Sequence, residues 1–199
     1  MLKRKRSLLS MGKIDIRALD SRTIILNLYL TQIITLSLAL LLYYIIYGLK
    51  PIEIVLSLYP TNFIKSFQFG LIFAIIIVTL NIILTKKLPK ELIDDGGINK
   101  KIFKNMPIWH IALISVTVGF TEELLFRGAI QSFIGFFWTS FLFTLIHFRY
   151  LRKVVLITIT FLTSIGLGIL VVYIDWFAAF TAHVIIDFLL GFMLKKKWV

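Results

Sequence analysis

The sequence predicts an all-α protein that crosses a membrane with about six helices and keeps both termini in the cytoplasm. Hydrophobic residues make up 59% of the 199 residues and fall in long blocks, which is more apolar surface than a soluble domain can bury. Several of these blocks reach the ~20 residues that one membrane-spanning helix needs. The basic residues, which give a net charge of +12, lie mainly in short segments between the blocks.

The helices follow from the apolar blocks in chain order. Residues 52–59 are too short to span and are predicted to lie at the interface, and residues 86–104 form a polar loop that should be the most water-exposed part of the chain. A reversal is predicted near Gly135. The predicted spans are residues 24–47, 67–84, 108–134, 136–148, 154–173 and 176–194.

The distribution of basic residues sets the predicted topology. In a six-span arrangement the lysine-rich and arginine-rich segments all fall on one side, which the positive-inside rule assigns to the cytoplasm. We therefore interpret residues 1–22 as a basic cytoplasmic N-terminal segment and residues 23–199 as a single transmembrane domain. The predicted location is the cell membrane, with several passes.

Composition also restricts the chemistry and the classes of binding partner that we expect. The chain has no cysteine, which excludes disulfides, Cys-ligated zinc and a thiol nucleophile. Because the basic residues flank apolar spans, they indicate topology signals and contacts to anionic lipid. The lipid bilayer is therefore an expected partner, and nucleic acid is not.

Six ionisable residues lie inside the apolar segments of the C-terminal half. A charge at the bilayer centre costs about 2.5–3.5 kcal/mol even on a lenient scale, so such residues usually face a polar interior and serve a function. The six residues are Glu122, Glu123, Arg127, His147, His183 and Asp187.

Helical spacing suggests how these residues pair. Glu123 and Arg127 are four residues apart with the acid first, which favours an ion pair that we interpret as structural. Glu122 lies about 100° around the helix, so this pair leaves it free to act as a base. His183 and Asp187 have the same spacing, so the carboxylate is able to orient the imidazole.

Helix rise predicts which residues share a depth in the membrane. Counted from Gly135 at 1.5 Å per residue, Glu122 and His147 lie roughly 20 Å and 18 Å away, whereas His183 falls nearer the opposite face unless the helices tilt. A glutamate and two histidines in one cavity suit hydrolysis. The carboxylate takes a proton from water, one imidazole holds that water, and the other stabilises the oxyanion.

Three motifs carry a family resemblance. Residues 122–128 (EELLFRG) are similar to an EExxxR motif, residues 143–147 (FTLIH) to FxxxH, and residues 183–187 (HVIID) to HxxxN or HxxxD. In this order they resemble the CPBP (Abi) intramembrane endopeptidases, which include type II CAAX prenyl endopeptidases and proteins linked to bacteriocin self-immunity. The resemblance extends over residues 108–190, and it implies a catalytic core at residues 108–194 of the transmembrane domain.

The resemblance implies an intramembrane endopeptidase that acts on a membrane-associated protein or peptide without a bound metal or other cofactor. Asp187 stands where many members have Asn, and an ionised Asp is unable to donate to an oxyanion. It is therefore either protonated or confined to orienting the imidazole. The implied roles are water activation by Glu122 and His147, oxyanion stabilisation by His183 and the residue at 187, and support by Glu123 and Arg127.

Two alternatives remain open from the sequence. Glu122, His147 and His183 are a possible two-histidine, one-carboxylate zinc centre with an open position for water. A second possibility is a non-catalytic membrane protein, for bacteriocin immunity, partner binding or ion-coupled transport, in which the charges are structural.

Other residues receive structural interpretations. The aromatic residues at positions 136–138 and Trp176 are predicted to belong to an interfacial aromatic belt, and His110 is predicted to lie near the interface without a role. Gly166 and Gly168 are predicted to permit close helix packing.

Overall fold

The computed structural model describes residues 20–48, 50–93, 95–150 and 153–198, and within these residues the only regular secondary structure is helical. A π-helix, Leu124–Ile130, joins α6 to α7, and a short 3-10 helix, Phe148–Tyr150, follows α7. The α-helices are α1 (Ser21–Tyr47), α2 (Pro51–Ser57), α3 (Phe63–Lys87), α4 (Lys90–Ile93), α5 (Ile98–Phe103), α6 (Ile108–Glu123), α7 (Gln131–Ile146), α8 (Val154–Tyr173) and α9 (Trp176–Lys196).

Polar caps fix the ends of the long apolar helices. Asp20 begins α1 by accepting a hydrogen bond from the Thr23 amide, and Asp175 begins α9 in the same way from Ala178. Such caps satisfy backbone donors that have no partner within the helix. Helix α1 ends at Gly48, whose φ of 63° suits glycine.

Among the described residues, five helices are long and apolar enough to cross a membrane, which confirms the all-α membrane bundle. The third of them covers residues 108–146, and its backbone breaks at Gly135, where φ is 78° and ψ is 164°. The Arg127 guanidinium lies 4.6 Å from the Phe143 ring centroid, whereas one straight helix would separate these residues by about 24 Å. The chain therefore reverses at Gly135, as predicted.

The returning limb matches the predicted bounds of residues 136–148 to within two residues, but it is too short to be the sixth full span that we predicted. Its residues 136–146 rise only about 16 Å, about half of the ~30 Å hydrocarbon core. The six passes are therefore five long helices and one short limb. His147, directly after the limb, contacts the Phe143 ring and lies within electrostatic range of Asp187, so it is close to the other polar side chains.

The polar segments gather at two ends of the bundle. At the first, which we call the basic end, Lys153 Nζ donates to the Glu91 carbonyl and Arg149 donates to the Asn99 side chain, so the loop after α3 lies beside the turn before α8. The end that carries Asp175 is the distal end. The two basic segments thus share one end, as predicted. The cytoplasmic assignment stays a prediction, as does the division into domains, and residues 1–19 lie outside the described part.

The loop predicted to be the most exposed is partly buried. It contains α4 and α5, and the side chains of Ile98 and Ile102 are 7% and 5% exposed. They pack in one apolar cluster with Ile24 and Ile111, because this face of α5 covers the ends of α1 and α6.

The prediction for the two glycines of α8 is confirmed. A Cβ on Gly168 would lie 2.8 Å from that of Phe136, and one on Gly166 would lie 2.2 Å from the ring of Phe73. The missing side chains let α8 approach both α7 and α3 closely. This packing brings α8 against the polar cluster described next.

Candidate active site

Glu123 is the centre of a buried polar cluster. Its side chain is fully buried, and its Oε1 accepts a 2.7 Å hydrogen bond from His183 Nδ1. Its Oε2 lies 3.3 Å from Arg127 Nε, which confirms the predicted i,i+4 ion pair. The pair lacks the alignment of a hydrogen bond, so the contact is chiefly one of charge. One carboxylate therefore links α6, the π-helix and α9.

Arg127 extends this cluster to the other limb and to α8. Its Nη2 donates to the carbonyl of Ser164 at 3.1 Å and to its hydroxyl at 2.8 Å. The guanidinium also lies over the ring of Phe143, in a cation–π contact. Ser164 is a site residue that we did not predict. A serine in an apolar span is common as a structural residue and gave no signal by itself.

The π-helix shapes the backbone beside the two glutamates. Each π turn carries an extra residue, and such segments occur frequently at functional sites. Trp176, at the start of α9, donates its indole N–H to the carbonyl of Glu123 at 2.9 Å. Its side chain is only 8% exposed. The prediction that Trp176 belongs to an interfacial belt is therefore wrong, because this indole is turned into the bundle.

Replacing Trp176 with phenylalanine should lower the free energy of unfolding by about 1–3 kcal/mol, because a buried carbonyl loses its partner. The matched control is Trp138→Phe, at an indole that is 59% exposed, where a change within about 0.5 kcal/mol is expected. Equilibrium unfolding in mixed detergent micelles measures both values. Equal values for the two variants would contradict the role given to the Trp176 hydrogen bond.

Phe143 separates and supports the two imidazoles. Its ring centroid lies 4.6 Å from that of His147 and 6.2 Å from that of His183. His147 Nδ1 lies 2.7 Å from the carbonyl of Phe143, and since a carbonyl only accepts, this nitrogen carries the proton. In the neutral ring the lone pair is therefore on Nε2, free for a proton or a water.

Asp187 completes the group on α9. Its Oδ2 lies 3.6 Å from His183 Nε2, and its side chain is 35% exposed. It is within electrostatic range of Glu122 and His147 as well. The closer partner of the His183 ring is Glu123, so that carboxylate does more than Asp187 to fix the ring. The structure thus gathers all six predicted residues in one region, and tilt and packing bring in His183.

Glu122 stands apart from its neighbour in its contacts. It is 9% exposed and forms no hydrogen bond or ion pair with any residue that the structure describes. The preceding residue, Thr121, instead donates to the side chain of Gln32 on α1, and this buried interhelical bond was also not predicted. Of the two adjacent carboxylates, Glu122 is therefore the one without a hydrogen bond or ion pair among the described residues.

The geometry does not supply a ready metal centre. Across the described ranges, no three His, Asp or Glu side chains converge closely enough to hold a metal ion. His183 Nδ1, one of the possible ligand atoms, is already hydrogen-bonded to Glu123. The donor set of the zinc alternative therefore does not fit these residues as they are arranged. His110 lies away from the cluster, where its Nε2 contacts the Tyr29 hydroxyl at 2.9 Å.

Fold and site together define a polytopic membrane protein with a carboxylate and imidazole cluster inside its helix bundle. The family model described as type II CAAX prenyl endopeptidase Rce1-like matches residues 104–189, which include the whole cluster apart from Gln32. An uncharacterized protein of Bacillus subtilis, YpbD, is 37% identical over 142 residues, which cover 69% of this chain and 74% of the relative. This chain belongs to the Rce1-like family, as its three motifs predicted. No solved structure matches it significantly.

Proposed function

We propose that this protein is an intramembrane endopeptidase that hydrolyses a peptide bond of a membrane-associated protein or peptide. The observation that carries the proposal is the different use of two adjacent glutamates. Both oxygens of Glu123 are engaged, by His183 and Arg127, whereas Glu122, which is 9% exposed, has no such partner among the described residues. A buried carboxylate without an ion-pair partner, inside an apolar bundle, is suited to act as a general base.

In the proposed reaction, Glu122 takes a proton from a water molecule as the water oxygen attacks the substrate carbonyl. The Nε2 lone pair of His147 accepts the second water hydrogen and holds the nucleophile in place. Collapse of the tetrahedral intermediate breaks the C–N bond. The proton held by Glu122 then passes to the departing amine, which restores the carboxylate.

His183 is proposed to stabilise the oxyanion. In its doubly protonated form Nδ1–H donates to Glu123, and the Nε2–H remains for the substrate oxygen. Asp187 lies 3.6 Å from that nitrogen, too far for a strong hydrogen bond, so it does not consume this donor. Loss of an oxyanion donor typically costs about 3–4 kcal/mol. We place Glu123 and Arg127 as positioning residues that hold the imidazole.

The substrate is proposed only by class. The family description names CAAX prenyl endopeptidases. The Bacillus subtilis relative YpbD is uncharacterized, so it does not narrow the substrate further. A bundle buried in lipid admits substrates that are themselves held at the membrane, such as a lipidated tail, a leader peptide or a membrane anchor. We propose the cell membrane as the site of action.

A comparison of protein termini in host membranes tests the function and finds the substrate. Membranes containing wild-type protein, Glu122→Gln or the exposed control Glu91→Gln are prepared at matched protein levels. New termini are expected with the wild type and with Glu91→Gln, and not with Glu122→Gln. A further arm with a strong membrane-permeant chelator should leave these termini unchanged.

The outcomes distinguish metal-free proteolysis from a non-catalytic role and from a zinc-dependent protease. Identical termini in all three membranes, with folded protein in each, would contradict proteolysis and favour a non-catalytic role. Termini that disappear on chelation and return with added zinc would favour the zinc-dependent alternative.

A further inference from the structure

Tyr150 lies against the imidazole that is proposed to hold the nucleophilic water. Its ring centroid is 5.9 Å from that of His147, and the two ring planes are inclined by only 24°. Both side chains are half-buried. Tyr150 belongs to none of the three sequence motifs and takes no part in the proposed reaction. Its contact with His147 is therefore a feature of the site that the motifs did not predict.

A 3-10 turn brings the two rings together. Helix α7 ends at Ile146, and His147 leaves the helical conformation with a φ of -80° and a ψ of 46°. The His147 carbonyl accepts a 2.8 Å hydrogen bond from the Tyr150 amide, which closes the turn. Because a 3-10 helix has about three residues per turn, side chains three positions apart lie one above the other. The backbone itself therefore aligns the phenol ring with the imidazole.

Further contacts hold Tyr150 at the basic end of the bundle. Its carbonyl accepts a 2.8 Å hydrogen bond from the Lys153 amide. Its hydroxyl lies 3.4 Å from Asn99 Nδ2 and 3.5 Å from Arg149 Nη2, and hydrogen bonds of this length are weak. The backbone turn and the stacking therefore do more to fix the phenol ring than its hydroxyl does.

The proposed reaction requires one orientation and one tautomer of the His147 ring. Nδ1 carries the proton and donates to the Phe143 carbonyl, so Nε2 keeps the lone pair that receives the water. Among the described residues, this is the only hydrogen bond that the imidazole makes. Rotation of the ring would break it and allow the other tautomer, whose Nε2–H is unable to accept from water. Flat stacking against Tyr150 opposes that rotation.

We propose that Tyr150 is a positioning residue, whose ring keeps the His147 imidazole in the orientation and tautomer that hold the nucleophilic water. The expected effect on the rate rests on the proposed function. The effect on the imidazole itself does not, because the tautomer is a property of the protein without substrate. Two measurements on the full-length protein therefore test the proposal separately.

The first measurement is the rate on a peptide that spans the cleavage site, with protein in proteoliposomes. Tyr150→Leu and Tyr150→Met remove the flat ring and should lower kcat about tenfold with KM little changed, because a catalytic group is misplaced. Tyr150→Phe keeps the ring and should retain most of the wild-type rate. The matched control is Tyr173→Leu, at a tyrosine that is 76% exposed on α8, where kcat should stay at the wild-type value.

The second measurement is nitrogen NMR, a readout that a merely structural role would not change. The chain has three histidines, so protein labelled on histidine gives few signals, and His147→Gln assigns those of position 147. In a neutral imidazole, the protonated and unprotonated nitrogens have different shifts. We expect a protonated Nδ1 in the wild type, in Tyr150→Phe and in Glu122→Gln. A mixture of both tautomers is expected in Tyr150→Leu and Tyr150→Met.

An unchanged His147 tautomer in a folded Tyr150→Leu or Tyr150→Met variant would overturn the proposal. A raised KM with an unchanged tautomer would do the same, since that result assigns Tyr150 to contact with the substrate. Absence of cleavage by the wild type would contradict the proposed function alone, because the tautomer would still show whether Tyr150 positions the ring.

Discussion

The Glu122→Gln variant should hydrolyse its substrate about 10²–10⁴ times more slowly than the wild type, the usual contribution of a general base. Glutamine keeps the shape of the side chain and loses the ability to take a proton. Glu122 makes no hydrogen bond or ion pair with the described residues. The free energy of unfolding of the variant should therefore stay within about 0.5 kcal/mol of the wild-type value. Initial rates on a peptide that spans the cleavage site, with protein in proteoliposomes, measure the effect.

The same substitution one residue later provides the control. Glu123→Gln removes a fully buried charge that faces Arg127 and His183, so it should lower both the free energy of unfolding and the rate. The contrast between the variants is the informative result. Loss of activity without loss of stability in Glu123→Gln, together with activity retained in Glu122→Gln, would exchange the roles that we give to the two residues.

Much of the fold was predictable because lipid imposes simple rules on the backbone. An apolar block in a membrane has to satisfy its own backbone hydrogen bonds, so long blocks become helices, as in α1, α3, α8 and α9. Gly135 marked the reversal, since its positive φ favours glycine. The prediction failed on the number of full spans, because the returning limb, whose helix ends at Ile146, has only 11 residues. Hydropathy alone does not distinguish such a limb from a full span.

The residues of the site were predictable from the sequence, but the contacts among them were only partly predictable. Ionisable residues in apolar helices are costly, which singled out all six, and helical spacing gave the Glu123–Arg127 pair. Spacing within one helix also suggested Asp187 as the partner of His183. The closer partner is Glu123, on another helix. Contacts between helices depend on helix tilt and on the π-helix, and neither of these produces a periodic pattern in the sequence.

The unpredicted residues share one property: each acts through an interhelical hydrogen bond. Ser164 binds Arg127, Trp176 binds the backbone of Glu123, and Gln32 binds Thr121. Each of these polar groups lies in a predominantly apolar helix, where a structural interpretation is the ordinary one. A buried Gln or Ser in such a helix therefore signals a polar partner on a neighbour, without identifying it.

Replacing Arg127 with methionine should lower the free energy of unfolding by about 3–5 kcal/mol, the cost of leaving a buried carboxylate without its partner. Glu123 would face an apolar side chain, and Ser164 would lose two hydrogen bonds. Unfolding in mixed micelles of denaturing and mild detergent measures the change. Arg149→Met at the basic end is the control, where a loss below about 1 kcal/mol is expected.

A double-mutant cycle assigns this cost to the ion pair. Because Glu123→Gln removes the charge that Arg127→Met leaves uncompensated, the double variant should be more stable than the two single losses predict, by about 0.5–3 kcal/mol. Additive losses would show that Arg127 stabilises the bundle through Ser164 and Phe143 instead. In that case Glu123 would be held mainly by His183, and its carboxylate would be freer to take part in proton transfer than the division of roles between the two glutamates allows.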